Sequence, residues 1–151
     1  MREAEAKLRE RFPDAGYYRH NENRLYITVP RERVTEACRF LHLERAMRLA
    51  ICTGIDTRAG YEMLYHFSDD ANGGLYTLKV IAPKDDPRIE SQASWFPSTD
   101  WIEREMTELM GIEFPGHPDM RPLLTSDTDW DPEEKPLRRD YQRRGDKHER
   151  G

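Results

Sequence analysis

Ala4, Leu8 and Phe12 stand four residues apart among charged neighbours, the narrow apolar stripe of one helix that ends near Pro13. The period then changes to two. Leu25, Ile27 and Val29 alternate with Arg24, Tyr26 and Thr28, which predicts a half-buried strand over 23–29, with Gly16 to His20 as its hairpin partner and a turn at Asn21-Glu22 or Glu22-Asn23. Pro30 opens a second helix that places Val34, Ala37, Cys38 and Leu41 on one face and Arg31, Glu32, Glu36 and Arg39 on the other. Three strands follow. Leu49, Ile51, Thr53 and Ile55 share a side of the first, Tyr61, Met63, Tyr65 and Phe67 a side of the second, and Tyr76, Leu78 and Val80 a side of the third, with Asn72-Gly73-Gly74 closing the last hairpin. The order helix, two strands, helix, three strands predicts a two-layer α+β domain over residues 1–83, with both helices on one face of a mainly antiparallel sheet.

Residues 84–141 read differently. Lys84-Asp85-Asp86-Pro87 begins a polar connection, and a short helix then runs from Ser98-Thr99-Asp100, which offers N-cap chemistry, to Gly111 as its C′ residue. At about 100° per residue, Trp101, Ile102, Met106, Leu109 and Met110 fill one arc of this helix, and Glu103, Arg104, Thr107 and Glu108 the other. Glu105 falls inside the apolar arc, where an unpaired carboxylate is costly, so the pattern predicts a salt bridge to Arg121, Arg138 or Arg139. Pro115, Pro118, Pro122, Pro132 and Pro136 rule out regular structure beyond the helix and predict an extended arm. That arm carries Phe114, Met120, Leu123, Leu124, Trp130, Leu137 and Tyr141, which need either the chain's own domain or another subunit to lie on. Residues 142–151 close the chain as a basic tail, expected to be disordered until bound.

Composition narrows the function. In 151 residues, 36% hydrophobic and 35% charged, there is material for one modest core, and the formal net charge of -5 comes from charges of both signs. No run approaches the roughly 20 apolar residues of a membrane span, and Met1 to Glu10 lacks a signal peptide's apolar stretch, which predicts a cytoplasmic protein. Cys38 and Cys52 are expected to be buried packing residues with no redox role. His20, His42, His66, His117 and His148 have no ligand spacing, so no metal site is expected.

Trp101-Ile102-Glu103-Arg104-Glu105, then Leu109-Met110-Gly111-Ile112-Glu113-Phe114, Gly116-His117-Pro118-Asp119-Met120-Arg121 and Pro136-Leu137-Arg138-Arg139-Asp140-Tyr141, resemble the signature of the respiratory-chain NADH dehydrogenase 30 kDa subunit family, the C subunit of complex I. The chain departs from that pattern at Glu108, Met110 and Lys135, where an aspartate, an aromatic and a histidine are usual. Arg121-Pro122-Leu123-Leu124 with Asp129-Trp130 is similar to the homologous subunit of membrane-bound energy-converting hydrogenases.

The resemblance implies a non-catalytic structural subunit of a complex I-like oxidoreductase, either NADH:quinone oxidoreductase or energy-converting hydrogenase, peripheral on the inner face of the cell membrane. Its partners would be the large nickel-iron-hydrogenase-like subunit and the neighbouring iron-sulfur subunits of the hydrophilic arm. The chain itself would bind no cofactor, the iron-sulfur clusters and the flavin or nickel-iron centre lying in its partners; two isolated cysteines could not supply a cluster's four thiolates. The residues implied to order the arm or meet the partner are Glu103, Arg104, Glu105, Gly111, Gly116, His117, Pro118, Asp119, Arg121, Pro136, Leu137, Arg138, Arg139 and Asp140. Two other classes compete. His117 and Asp119 could form an acid-base pair of a hydrolase, though without a nucleophile or orienting third group. A nucleic-acid-binding α+β module could use the basic tail, against which the pI near 5.6 argues.

Overall fold

The computed structural model describes residues 2–143. Helix α1 (Arg2–Arg11) leads into strands β1 (Gly16–Asn21) and β2 (Arg24–Thr28), which turn at Glu22-Asn23. A 3-10 turn at Arg31–Arg33 feeds helix α2 (Val34–Arg39), which widens into a π turn over Phe40–Glu44. Strands β3 (Arg48–Asp56), β4 (Tyr61–Asp69) and β5 (Gly74–Ala82) follow, and helix α3 (Asp100–Met110) comes last. The five strands form one mixed sheet in the order β1-β2-β5-β4-β3, antiparallel throughout except where β5 returns parallel to β2. The two-layer α+β architecture expected from the sequence is therefore present.

The predicted apolar faces meet in one core. Ala4, Leu8 and Phe12 of α1 and its exit, and Val34, Ala37, Cys38 and Leu41 of α2 and the π turn, pack with Leu25 and Ile27, Met63, Tyr65 and Phe67, and Tyr76, Leu78 and Val80. Cys38 and Cys52 are free and buried, and burial pushes both thiols up, Cys38 further through its neighbour Cys52; they remain protonated packing groups. Among the described residues no helix is long and apolar enough to cross a membrane.

β3 departs from its expected pattern. The register against β4 slips between Leu49 and Ile51, so one extra residue is accommodated and the alternation changes phase. Leu49 and Cys52 face the core, whereas Ile51 and Ile55 are 54% and 40% exposed on the open side of the sheet. A bulge at the sheet's edge overrides strict alternation because the unpaired residue consumes one step of the pleat. Gly54, on the inward phase, lets α3 approach: a methyl group there would collide with the Met106 sulfur.

Candidate functional site

The site is built around α3, which a 3-10 turn at Pro97–Thr99 introduces. Thr99 occupies the N-cap position, but its hydroxyl donates to the Phe96 carbonyl and does not cap the helix. At the other end Gly111 has φ 84°, and its N–H bonds the carbonyls of Met106 and Thr107, the left-handed stop expected of a C′ glycine.

The helix buries Glu103, Met106 and Met110, with Ile102 partly covered, and leaves Trp101 68% exposed. This corrects the helical-wheel reading twice. Trp101 does not face the core, and the buried carboxylate is Glu103 rather than Glu105. The predicted pairing of Glu105 with Arg121, Arg138 or Arg139 does not occur: among the described residues no hydrogen bond or ion pair reaches it. The wheel failed because the groups that make Glu103 tolerable come from elsewhere in the chain. Ser91 donates its hydroxyl to Glu103 Oε2 at 2.5 Å, the Gln92 N–H donates to Oε1 at 2.8 Å, and His117 Nε2 lies 3.9 Å from Oε2. Burial nevertheless outweighs these partners and raises the Glu103 pKa.

Ser91 and Gln92 are delivered by a short parallel contact, in which the Ile89 N–H bonds Glu113 O and the Ser91 N–H bonds Pro115 O. His117 is placed by the arm, and its side chain is 1% exposed. The Asp119 N–H donates to His117 Nδ1 at 3.0 Å, which assigns the remaining proton to Nε2, 3.2 Å from the Asp100 carbonyl. His117 and Asp119 thus form a turn joined through the Asp119 N–H, and the Asp119 carboxylate pairs with Arg121, so the expected acid-base pair of these two side chains is not formed.

Side chains of α3 then hold the arm by its backbone. Arg104 donates to the carbonyls of Arg121 and Pro122, and the Glu108 carboxylate accepts the N–H groups of Leu123, Leu124 and Thr125 and the Thr125 hydroxyl. Desolvation opposes ionisation of Glu108, but those hydrogen bonds outweigh it and hold the carboxyl below its ordinary range. Asp119 and Arg121 form a bidentate pair that brings the Asp119 pKa down to about 2.

The distal arm returns to the C-terminus of the helix. Lys135 Nζ donates to the carbonyls of Thr107 and Glu108, Arg138 Nε to Met110 O at 2.7 Å, and the Leu137 N–H to Leu109 O. The carbonyls of Glu108, Leu109 and Met110 receive no helical N–H, that of Thr107 has only the Gly111 N–H, and all four lie at the negative end of the helix dipole. Next door, the Arg139 N–H donates to Asp56 Oδ2 at 2.9 Å while Lys84 Nζ pairs with Oδ1 at 2.6 Å. Burial opposes the Asp56 charge, and these partners prevail, lowering its pKa.

Of the residues singled out in the sequence, Glu103, Arg104, Gly111, His117, Leu137, Arg138 and Arg139 converge on α3 and the adjoining end of β3. Asp119 and Arg121 pair with each other on the arm, Gly116 supplies a second positive φ of 84°, and Pro136 lies between the anchors Lys135 and Leu137. The side chains of Glu105 and Asp140 make no polar contact with the described residues, Pro118 has no polar side chain to make one, and the basic tail beyond residue 143, with Arg144, Lys147 and Arg150, lies outside them. Sequence reasoning missed Ser91, Gln92, Asp56 and Lys84, which carry no local signal, and treated Glu108 and Lys135 as mere departures although both anchor the arm. Among the described residues no group of three or more His, Cys, Asp or Glu is disposed to hold a metal ion.

A family model described as the 30 kDa subunit of respiratory-chain NADH dehydrogenase matches residues 27–147. The C subunit of NADH-quinone oxidoreductase from Geobacter sulfurreducens is 31% identical over 92% of this chain and 88% of its own length. The C subunit of F(420)H(2) dehydrogenase from Methanosarcina mazei is 32% identical over 90% of this chain and 85% of its own length. Other relatives are longer: the corresponding NADH-quinone oxidoreductase subunit of Streptomyces coelicolor, 33% identical over 78% of this chain, is covered over 48% of its length. Among solved structures, a trypsin-resistant fragment of Nqo5 superposes with a TM-score of 0.67 at 26% identity, covering 79% of this chain and 99% of the fragment. A chain of an archaeal membrane-bound sulfane sulfur reductase superposes with a TM-score of 0.83 at 23% identity over 95% of this chain and 86% of its own, a likeness of fold.

Proposed function

The chain belongs to the respiratory-chain NADH dehydrogenase 30 kDa subunit family, and from that premise we propose that it is a non-catalytic assembly subunit of a complex I-like membrane-associated oxidoreductase. It docks through α3 and the arm on the large nickel-iron-hydrogenase-like subunit, beside the iron-sulfur subunits. It carries no cofactor of its own, and it sits on the cytoplasmic face of the membrane through the complex.

One observation carries this reading. The arm is fixed to its own domain by hydrogen bonds between side chains and backbone, yet Met120, Leu124, Trp130 and Leu137 remain 36 to 54% exposed. A strap that only sealed its own core would turn those side chains inward. An ordered backbone presenting apolar side chains outward has already met the entropic cost of forming an interface.

The test is purification of the tagged full chain from native membranes. The large subunit should co-purify in equal amount, and changing Met120, Leu124, Trp130 and Leu137 together to serine should abolish this while leaving the thermal unfolding midpoint within a few degrees. A tagged chain that brings down no hydrogenase-like subunit overturns the assembly role, and undiminished co-purification of the serine variant overturns docking through the arm.

A further inference from the structure

Four carboxylates lie on α3. Asp100 has Arg104 at 3.8 Å, Glu103 is bonded by Ser91 and Gln92, and Glu108 holds the arm. Glu105 alone has no partner among the described residues. One turn before it on the same face stands Trp101, whose 68% exposure is the highest of any large apolar side chain in the described chain. Residues i and i+4 on a helix hold their Cβ atoms about 6 Å apart. An indole plane and a free carboxylate are therefore side by side on a rigid surface.

The surroundings fix the charge of what covers them. Thr125 and Lys135 are both anchored on Glu108, by its carboxylate and its carbonyl, so residues 126–134 leave and return at one point beside this face. That excursion carries Asp127, Asp129, Asp131, Glu133 and Glu134, and no Lys or Arg. Such a field repels nucleic acid and anionic lipid and favours a cationic partner. Leu124 beside it, 54% exposed, calls for an apolar rim.

We propose that the Trp101-Glu105 face of α3 is a receptor for an arginine side chain of the partner protein on which the chain docks, the guanidinium stacking on the indole while pairing with the Glu105 carboxylate. This rests on the assembly role argued above and specifies its central contact. Arginine suits the site better than lysine, because one planar guanidinium can lie over a ring and form paired N–H···O bonds at its edge. The fold already uses the stacking half elsewhere, with Arg39 4.2 Å above the Trp95 ring. Desolvated between two proteins, the pair would be a hot spot.

The experiment uses the tagged full chain and the large subunit, co-expressed and purified, with Trp101→Ala, Glu105→Gln and Glu105→Arg. Each variant should unfold at the wild-type temperature and bind the large subunit at least tenfold more weakly, Glu105→Arg most of all. A photo-crosslinker at position 101 should join to an arginine-containing peptide of the large subunit. Wild-type binding combined with undiminished binding of all three variants overturns the arginine receptor and leaves the assembly role standing. No binding by wild type overturns the assembly role itself. Crosslinks at position 101 to a second copy of this chain, or wild-type retention on anionic vesicles that Trp101→Ala abolishes, assign the face to another occupant and also overturn the proposal.

Discussion

Glu103 is the residue around which the site turns, a carboxylate with no exposed surface that helical periodicity had assigned to the solvent side. Its burial is tolerated because two segments distant in sequence, at Ser91-Gln92 and at His117, supply two hydrogen bonds and a nearby imidazole. Removing the side chain while leaving the Ser91 hydroxyl and the Gln92 N–H buried should be expensive, so Glu103→Ala is expected to cost about 2–4 kcal/mol in denaturant unfolding. The pKa gives a signed test. Because burial raises the folded-state value above the unfolded one, the native state binds the extra proton. This contribution to stability is therefore greatest below the unfolded value of 4.5 and falls as pH rises towards the folded value. Glu103→Gln should flatten the slope of unfolding midpoint against pH above the unfolded value of 4.5; an unchanged slope would show that the group is not titrating in this environment.

At the scale of elements, α3 and the arm complete each other. The helix has no basic residue in its last turn, and Lys135 and Arg138 arrive from 27 and 28 residues away to satisfy its terminal carbonyls. Arg138→Ala should therefore lower stability by about 1–2 kcal/mol and speed proteolysis of the arm, with the sheet's far-ultraviolet signal retained. This intramolecular role means that loss of assembly in an Arg138 variant would not by itself report docking, whereas Trp101 and Glu105 have no such role. The bulge in β3 makes a second, opposite pair of expectations. Ile51→Lys should leave stability within about 0.5 kcal/mol, because the side chain already faces solvent, while Leu49→Ala should cost about 2–4 kcal/mol. Equal effects would mean that the phase of the strand is not shifted.

The whole molecule is a core domain with a strap fastened at successive points, and several of those points are carboxylates. Glu108 and Asp56 are held below their ordinary values by the N–H groups and cations that face them, and Asp119 is held at about 2 by Arg121. For such groups the folded state gives up its proton more readily, so their contribution is complete above the unfolded value and is lost as pH falls through the folded one. The strap should therefore loosen below about pH 4, with amide protection at Leu123, Leu124 and Thr125 falling before that of β4 and β5. Simultaneous loss would mean that arm and sheet unfold as one unit.

Sequence alone determined the α+β class, the strand and helix order, most of the inward-facing residues of the first 83 positions outside β3, and the family, because two-residue and 3.6-residue periods and a dense ordered motif are properties of neighbours in the chain. It also located the stretch that forms the site. Which carboxylate of α3 is buried, which way Trp101 points, how β3 is phased and what caps the helix were decided only by tertiary structure. Each depends on a donor or a packing surface contributed from a distant segment: Ser91 and Gln92 for Glu103, Met106 against Gly54, Lys135 and Arg138 for the helix end. A polar group's place in the interior is set by the partners that reach it, and periodicity records only hydrophobicity along one element.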